Sequence, residues 1–82
     1  MKDKMEKFKI GGKITLEDNI SYRILDIIKY NNENYLFCCT ETKPIHPQVL
    51  VCKEIDNEVY VSVEENPKIL LEISKLVINN KN

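Results

Sequence analysis

The chain has 82 residues, of which 43% are hydrophobic and 30% are charged, and its formal net charge is −1. This length accommodates one domain with a modest core, and the balanced composition excludes a disordered tail protein and a collagen-like repeat. The near-zero net charge excludes strong electrostatic steering towards nucleic acid or an acidic membrane. No apolar run approaches the roughly 20 residues of a membrane-spanning helix, and no secretory signal follows Met1. The sequence therefore predicts a cytoplasmic protein without a membrane partner.

Residues 1–12 form a basic segment, which we interpret as an arm that precedes the domain. Five lysines against two acidic residues give residues 1–13 a local net charge of +3. Gly11 and Gly12 end the arm, because a glycine pair interrupts both helix and strand. A solvated arm accounts for this pattern, and only Phe8 is interleaved for base stacking, which argues against nucleic acid as a partner. A nucleic-acid accessory module using the lysines is kept as the alternative function, with steep salt dependence as its signature.

The next part of the chain has the pattern of two β-hairpins. A short alternating stretch at 13–16 and a β-branched and aromatic stretch at 20–30 are separated by turn residues, which predicts the first hairpin. The asparagine-rich residues 31–34 tolerate positive φ and lead to the apolar stretch 35–40, which predicts the second. Asp26 is an acid inside an apolar run, and we interpret it as the mark of a bulge or of the solvent side of the strand rather than as a general base.

A loop and a third hairpin follow. Two prolines between residues 41 and 48 predict the longest loop of the chain. The apolar stretches 49–54 and 58–63 flank residues 55–57, where an Asp-Asn pair suits a tight reversal. Alternation in the last stretch places three valines on one face of a half-buried strand. These valines are Val59, Val61 and Val63.

The last element is a helix, predicted over Pro67–Ile78. Asn66 is its N-cap and Pro67 its first residue. Its apolar stripe, with Leu70 beside it, is expected to cover the valine face of the last strand. The stripe consists of Ile69, Ile73, Leu76 and Val77.

The predicted fold is therefore α+β, with a five-stranded antiparallel β-meander covered on one face by the C-terminal helix. The domain organisation is a basic arm at 1–12, a single α+β domain at 13–78 and a polar tail at 79–82.

The resemblance to a known family is carried by the strand and turn patterns of 14–18, 22–28, Tyr30, Tyr35, 49–51 and 59–76. In these patterns the chain resembles the YrzB-like family of uncharacterised small proteins from low-GC Gram-positive bacteria. The chain differs from that family in its near-neutral charge and in the cysteines and prolines around the third loop. The resemblance implies a small curved antiparallel sheet closed by a C-terminal helix, and no particular activity.

Cys38, Cys39, Cys52 and His46 are the candidates for metal binding or nucleophilic catalysis. Cys38 and Cys39 are adjacent on a strand and point to opposite faces, so they do not suit one tetrahedral zinc site. An odd number of cysteines argues for reduced thiols. His46 lies between prolines in a loop, and so small a sheet is expected to offer little concavity for a substrate. The sequence predicts neither catalytic residues nor a metal or cofactor, and so no enzyme.

The function that remains is protein binding. The sequence predicts a non-enzymatic adaptor or regulator, for which a phage or mobile-element inhibitor of a host protein is one form. Lys43, Ile45 and His46 in the proline-stiffened loop are the predicted binding residues, because a stiff loop loses less entropy on docking. Alternatively, Ile45 folds back over the sheet edge and only protects it. An unpaired edge strand also offers a surface for β-augmentation or for a homodimer.

Overall fold

The computed structural model describes residues 8–80 as five strands followed by one helix, which confirms the predicted α+β class. The helix continues two residues past the predicted end at Ile78, so the first two residues of the predicted polar tail are helical. Residues 81–82 of the predicted tail lie outside the described part. The elements are β1 (Lys13–Thr15), β2 (Ser21–Tyr30), β3 (Glu33–Thr40), β4 (Pro47–Ile55), β5 (Glu58–Val63) and α1 (Pro67–Asn80).

The five strands lie in sequence order, and each is antiparallel to the next. Two of the connections are two-residue turns in which both residues have positive φ. Asn31 and Asn32 have φ of 51° and 64°, and Asp56 and Asn57 have φ of 51° and 66°. Two consecutive positive φ values are typical of a type I′ turn, whose twist matches that of the flanking strands. The predicted reversals at both sites are confirmed.

Asn32→Gly is expected to stabilise the protein by a few tenths of a kcal/mol, because glycine adopts positive φ without steric cost. Asn32→Val should destabilise it by about 1 to 2 kcal/mol, since a side chain branched at Cβ is strained there. Urea unfolding measures both. Asn34→Gly is the matched control: Asn34 lies within β3, where glycine should destabilise by about 0.5 to 1 kcal/mol. Shifts of the same sign for both glycine variants would contradict the turn assignment.

A β-bulge interrupts β2 between Ile24 and Asp26 and leaves Leu25 as the extra residue. The backbone N–H of Ile27 donates to Asp26 Oδ1 at 2.9 Å. The prediction that Asp26 marks a bulge is thus confirmed. Because one extra residue inverts the alternation of a strand, Ile24 and Ile27 contact the same cluster although they are three residues apart.

The sheet is apolar on both faces, and each face carries its own cluster of buried residues. The inner cluster consists of Tyr22, Ile24, Leu36, Cys38, Leu50 and Cys52. The helix-side cluster consists of Ile28, Tyr35, Val49, Val51, Ile73 and Val77. Ile73 is fully buried, and Ile69, Leu70 and Leu76 pack partly buried beside it, so the predicted apolar stripe of the helix is confirmed.

The helix does not cover the valine face of β5. Val59, Val61 and Val63 pack against the inner cluster, whereas α1 packs over β2 and β3 on the opposite face. The prediction that α1 covers these valines is therefore wrong. The predicted alternation of β5 is confirmed. The sheet curls, so the valines of β5 pack against residues of the other strands and not against α1.

Asn66 caps the start of α1, as predicted. The backbone N–H of Lys68 donates to Asn66 Oδ1 at 3.0 Å, and that of Leu70 donates to the Asn66 carbonyl at 3.0 Å. The N–H of Asn66 itself donates to Glu64 Oε2 at 3.2 Å. These bonds fix the point at which the chain leaves β5 and begins the helix.

The described end of the N-terminal arm is attached to the sheet. The Gly11 N–H donates to the Ile24 carbonyl at 2.7 Å, and the Ile24 N–H donates to the Gly12 carbonyl at 2.8 Å. Phe8 packs partly buried against the inner cluster. Residues 1–7 of the predicted arm lie outside the described residues. Between residues 8 and 80, no helix has the length and apolar character needed to cross a membrane.

Candidate functional site

An open groove of about 790 Å³ lies between β1 and β5, the two edge strands of the sheet. Since residues of both edges line one groove, the sheet is a curled half-barrel with a gap at its seam. We call this gap the seam groove. The expectation that so small a sheet offers little concavity is wrong, because curling brings the two edges around one space. The apolar lining is formed by Phe8, Ile14, Leu16, Val59, Val61 and Val63.

Charged residues line the groove along β1. Lys13 lies at the start of the strand, and Glu17 and Asp18 follow its end in the turn to β2. Asp18 Oδ1 accepts the backbone N–H of Ile20 at 2.9 Å, which holds this carboxylate in the turn. Burial raises the pKa of Tyr22 in the inner cluster, and the charge of Asp18 raises it further. One end of the groove is therefore acidic and the other basic.

The groove-lining valines of β5 also direct their backbone groups to the free edge. The Glu64 N–H donates to the Val49 carbonyl at 2.9 Å, so Glu64 is in a hydrogen-bonded pair with β4. Hydrogen-bonded and non-hydrogen-bonded pairs alternate along an antiparallel ladder. Val63, Val61 and Val59 are consequently in non-hydrogen-bonded pairs, and their N–H and C=O groups point away from β4. The same residues present apolar side chains to the groove and polar backbone groups to the edge.

The edge of β1 also has free backbone groups, but there they belong to the polar residues that alternate with the apolar Ile14 and Leu16. The Gly12 carbonyl and the Leu16 N–H bond to the backbone of β2 and of the turn that precedes it, at 2.8 and 3.1 Å. By alternation, Lys13 and Thr15 direct their backbone groups away from β2. In the sheet formed by residues 8–80, both borders of the seam groove are thus strand edges.

The predicted binding residues lie on a different surface. Lys43, Ile45 and His46 are all exposed, and Ile45 is 58% exposed. The alternative that Ile45 folds back over the sheet edge is therefore wrong. None of the three lines the seam groove. Whether the loop binds a partner stays a prediction.

The loop itself is shorter than expected but well anchored. Only residues 41–46 connect β3 to β4, because Pro47 and Gln48 already pair with β3. A proline is tolerated there because it is the first residue of the strand. Thr40 closes the loop: its N–H donates to the His46 carbonyl at 2.9 Å, and its Oγ1 accepts the His46 N–H at 2.8 Å.

The cysteines lie where the alternation of β3 predicts. Cys38 is fully buried in the inner cluster, Cys39 is half-buried on the other face, and Cys52 is buried in β4. The three form no disulfide. Burial raises the pKa of Cys38 to about 12, and Cys52 and Cys39 add to this, so its thiol is a poor nucleophile at neutral pH. Within residues 8–80, no three or more His, Cys, Asp or Glu side chains are grouped so that they could hold a metal ion.

Three basic residues lie in or beside the described end of the arm. Lys9 and Lys13 are exposed. The Arg23 guanidinium donates to the Gly11 carbonyl and pairs with Glu41 Oε1, both at 2.8 Å, so it links the arm to the β3–β4 loop. The nucleic-acid alternative also depends on lysines within residues 1–7, and it stays a prediction.

Sequence reasoning missed the seam groove, although two signals pointed to it. Residues 13–16 and 58–63 alternate in the same way, and both are edge strands of a meander. The run Val49–Cys52 is apolar without alternation, which is typical of a strand buried on both faces. Together these two patterns indicate that the face of the sheet opposite the helix also carries a buried apolar cluster.

Comparisons with known proteins indicate no function for this chain. No family model, no curated protein and no solved structure gives a significant match to the chain. The resemblance to the YrzB-like family therefore stays a prediction.

Proposed function

We propose that this protein is a non-enzymatic cytoplasmic adaptor or regulator that binds a protein partner through the seam groove. The observation that supports this is an apolar groove bordered by two strand edges. The valines of the groove are only partly buried, and covering their remaining apolar surface with a partner gains about 25 cal/mol for each Å² buried. Strand edges at the same place gain backbone hydrogen bonds from a protein partner.

The lining of the groove favours binding over nucleophilic catalysis. Among residues 8–80, those that line the groove include neither a cysteine nor a histidine. Cys38 and Cys52 are buried, and His46 lies in the loop outside the groove. A groove with an apolar floor and charged ends is suited to recognising a segment of another protein. A small inhibitor of a host protein, carried by a phage or mobile element, would act in this way.

Val61→Lys is expected to weaken partner binding at least tenfold, because it places a charge on the apolar floor of the groove. The partner is captured from lysate with the wild-type chain, identified by mass spectrometry and purified, and its affinity is measured by calorimetry. Ile55→Lys is the matched control, since it adds the same charge at an exposed apolar position of β4 that does not line the groove. It should change the affinity less than about threefold.

The double variant Ile45→Ser/His46→Ser tests the loop in the same assay. Unchanged affinity is expected, together with an unchanged melting temperature, because both side chains are exposed. Loss of binding by this variant, with Val61→Lys binding normally, would place the site on the loop. Circular dichroism shows whether Val61→Lys is folded, and Val61→Thr replaces it if it is not.

A further inference from the structure

The two borders of the seam groove run in the same direction. Every neighbouring pair of strands is antiparallel and the number of strands is odd, so β1 and β5 have the same polarity. Closing the barrel by pairing β1 with β5 would require a parallel pair in an otherwise antiparallel sheet. A single added strand of opposite direction would instead be antiparallel to both neighbours. The polarity of the sheet thus favours one inserted strand.

We infer that the seam groove binds an extended segment of the partner protein as a sixth strand, antiparallel to both β1 and β5. This inference rests on the proposed function and specifies what enters the groove. Backbone groups of Val61 on one side and Thr15 on the other are directed at the incoming strand. Every second side chain of that strand would lie on the valine floor, so the segment alternates apolar and polar residues.

The charged residues of the groove indicate at which end the bound segment should carry a basic residue. An antiparallel segment begins beside the end of β1, where Glu17 and Asp18 lie, and finishes beside Lys13. A basic residue at the N-terminal end of the segment therefore meets two carboxylates. The same residue at the C-terminal end would meet Lys13 on the side of β1 and the single carboxylate of Glu58, which begins β5, on the other side.

Two other occupants match the groove less well. An acyl chain would cover the valines but would leave the backbone groups of both edges without a partner. A second copy would have to insert its own edge strand, such as β5. That strand is already paired with β4 on one side, so it could pair with only one border of the groove. A segment with no sheet of its own can pair on both sides.

Synthetic peptides added to the full-length protein test the inference. Both peptides alternate valine and threonine and have blocked termini, but one has lysine at its N-terminal end and the other at its C-terminal end. Amide chemical shifts followed during titration should change along β1 and β5. The peptide with N-terminal lysine should bind about two- to fivefold more tightly, as expected for one or two exposed charge pairs. Methylation of its alternate backbone nitrogens should weaken binding at least tenfold.

Other outcomes overturn the inference. No shift with either peptide, equal binding of the methylated peptide, or shifts confined to residues 41–46 would each exclude strand insertion. Binding of decanoate in place of the peptides would identify an apolar ligand, and a dimeric mass in light scattering would identify a second copy. In each case the proposed function still stands if Val61→Lys abolishes binding of the purified partner, so the two failures are distinguishable.

Discussion

Replacing Ile73 by alanine is expected to lower the free energy of unfolding by about 2 to 5 kcal/mol. Ile73 is fully buried, and it is the residue of α1 around which the rest of the apolar stripe packs on the helix-side cluster. Removing its side chain leaves a cavity between helix and sheet, where neither can move in without disturbing other contacts. In a domain of this size, each kcal/mol corresponds to about 4 to 8 °C in melting temperature.

Leu71 provides a matched control on the same helix. It is 57% exposed and points away from the sheet, so Leu71→Ala should change stability by less than about 0.5 kcal/mol. Urea unfolding with a common m-value measures both variants. Equal losses for Ile73→Ala and Leu71→Ala would show that α1 does not dock through the predicted stripe.

Raising the pH above 9 is expected to destabilise the protein through Cys38. Its pKa is raised from 9.0 to about 12, chiefly because it is buried. Between these values the unfolded chain loses the proton and the folded chain keeps it, so stability falls as the pH rises. The loss is about 1.4 kcal/mol for each pH unit, and it is complete only when the pH passes the folded-state value. Below pH 9 the thiol is neutral in both states, and this contribution to stability is fully present.

The variant Cys38→Ala isolates this contribution. Between pH 9 and pH 10, the stability of Cys38→Ala should fall much less than that of the wild type. Cys39→Ala, which changes the other face of the sheet, should lose stability as the wild type does. Burial also raises the pKa of Tyr22 and Tyr35 above 10.0, so both variants should still be destabilised at higher pH. Urea unfolding under reducing conditions at successive pH values provides the slopes. Identical slopes for the wild type and Cys38→Ala would refute the assignment.

Local signals in the sequence determined most of the secondary structure. Asn66 and Pro67 mark the helix start because capping depends on a few neighbouring groups, and Asp26 marks the bulge for the same reason. The side of the sheet on which α1 packs is not a local property. It depends on how far the sheet curls, which sums the twists of five strands and one bulge. The predicted cover of the β5 valines failed for this reason, and the seam groove was missed with it.

The curl of the sheet also affects how whole molecules meet. An open, flat sheet presents each edge to the edges of other molecules and invites stacking into fibrils. Here the edges of β1 and β5 face each other across the seam groove. A neighbouring folded sheet would have to enter this groove to pair with either edge. The curled shape of the half-barrel therefore hinders edge-to-edge aggregation.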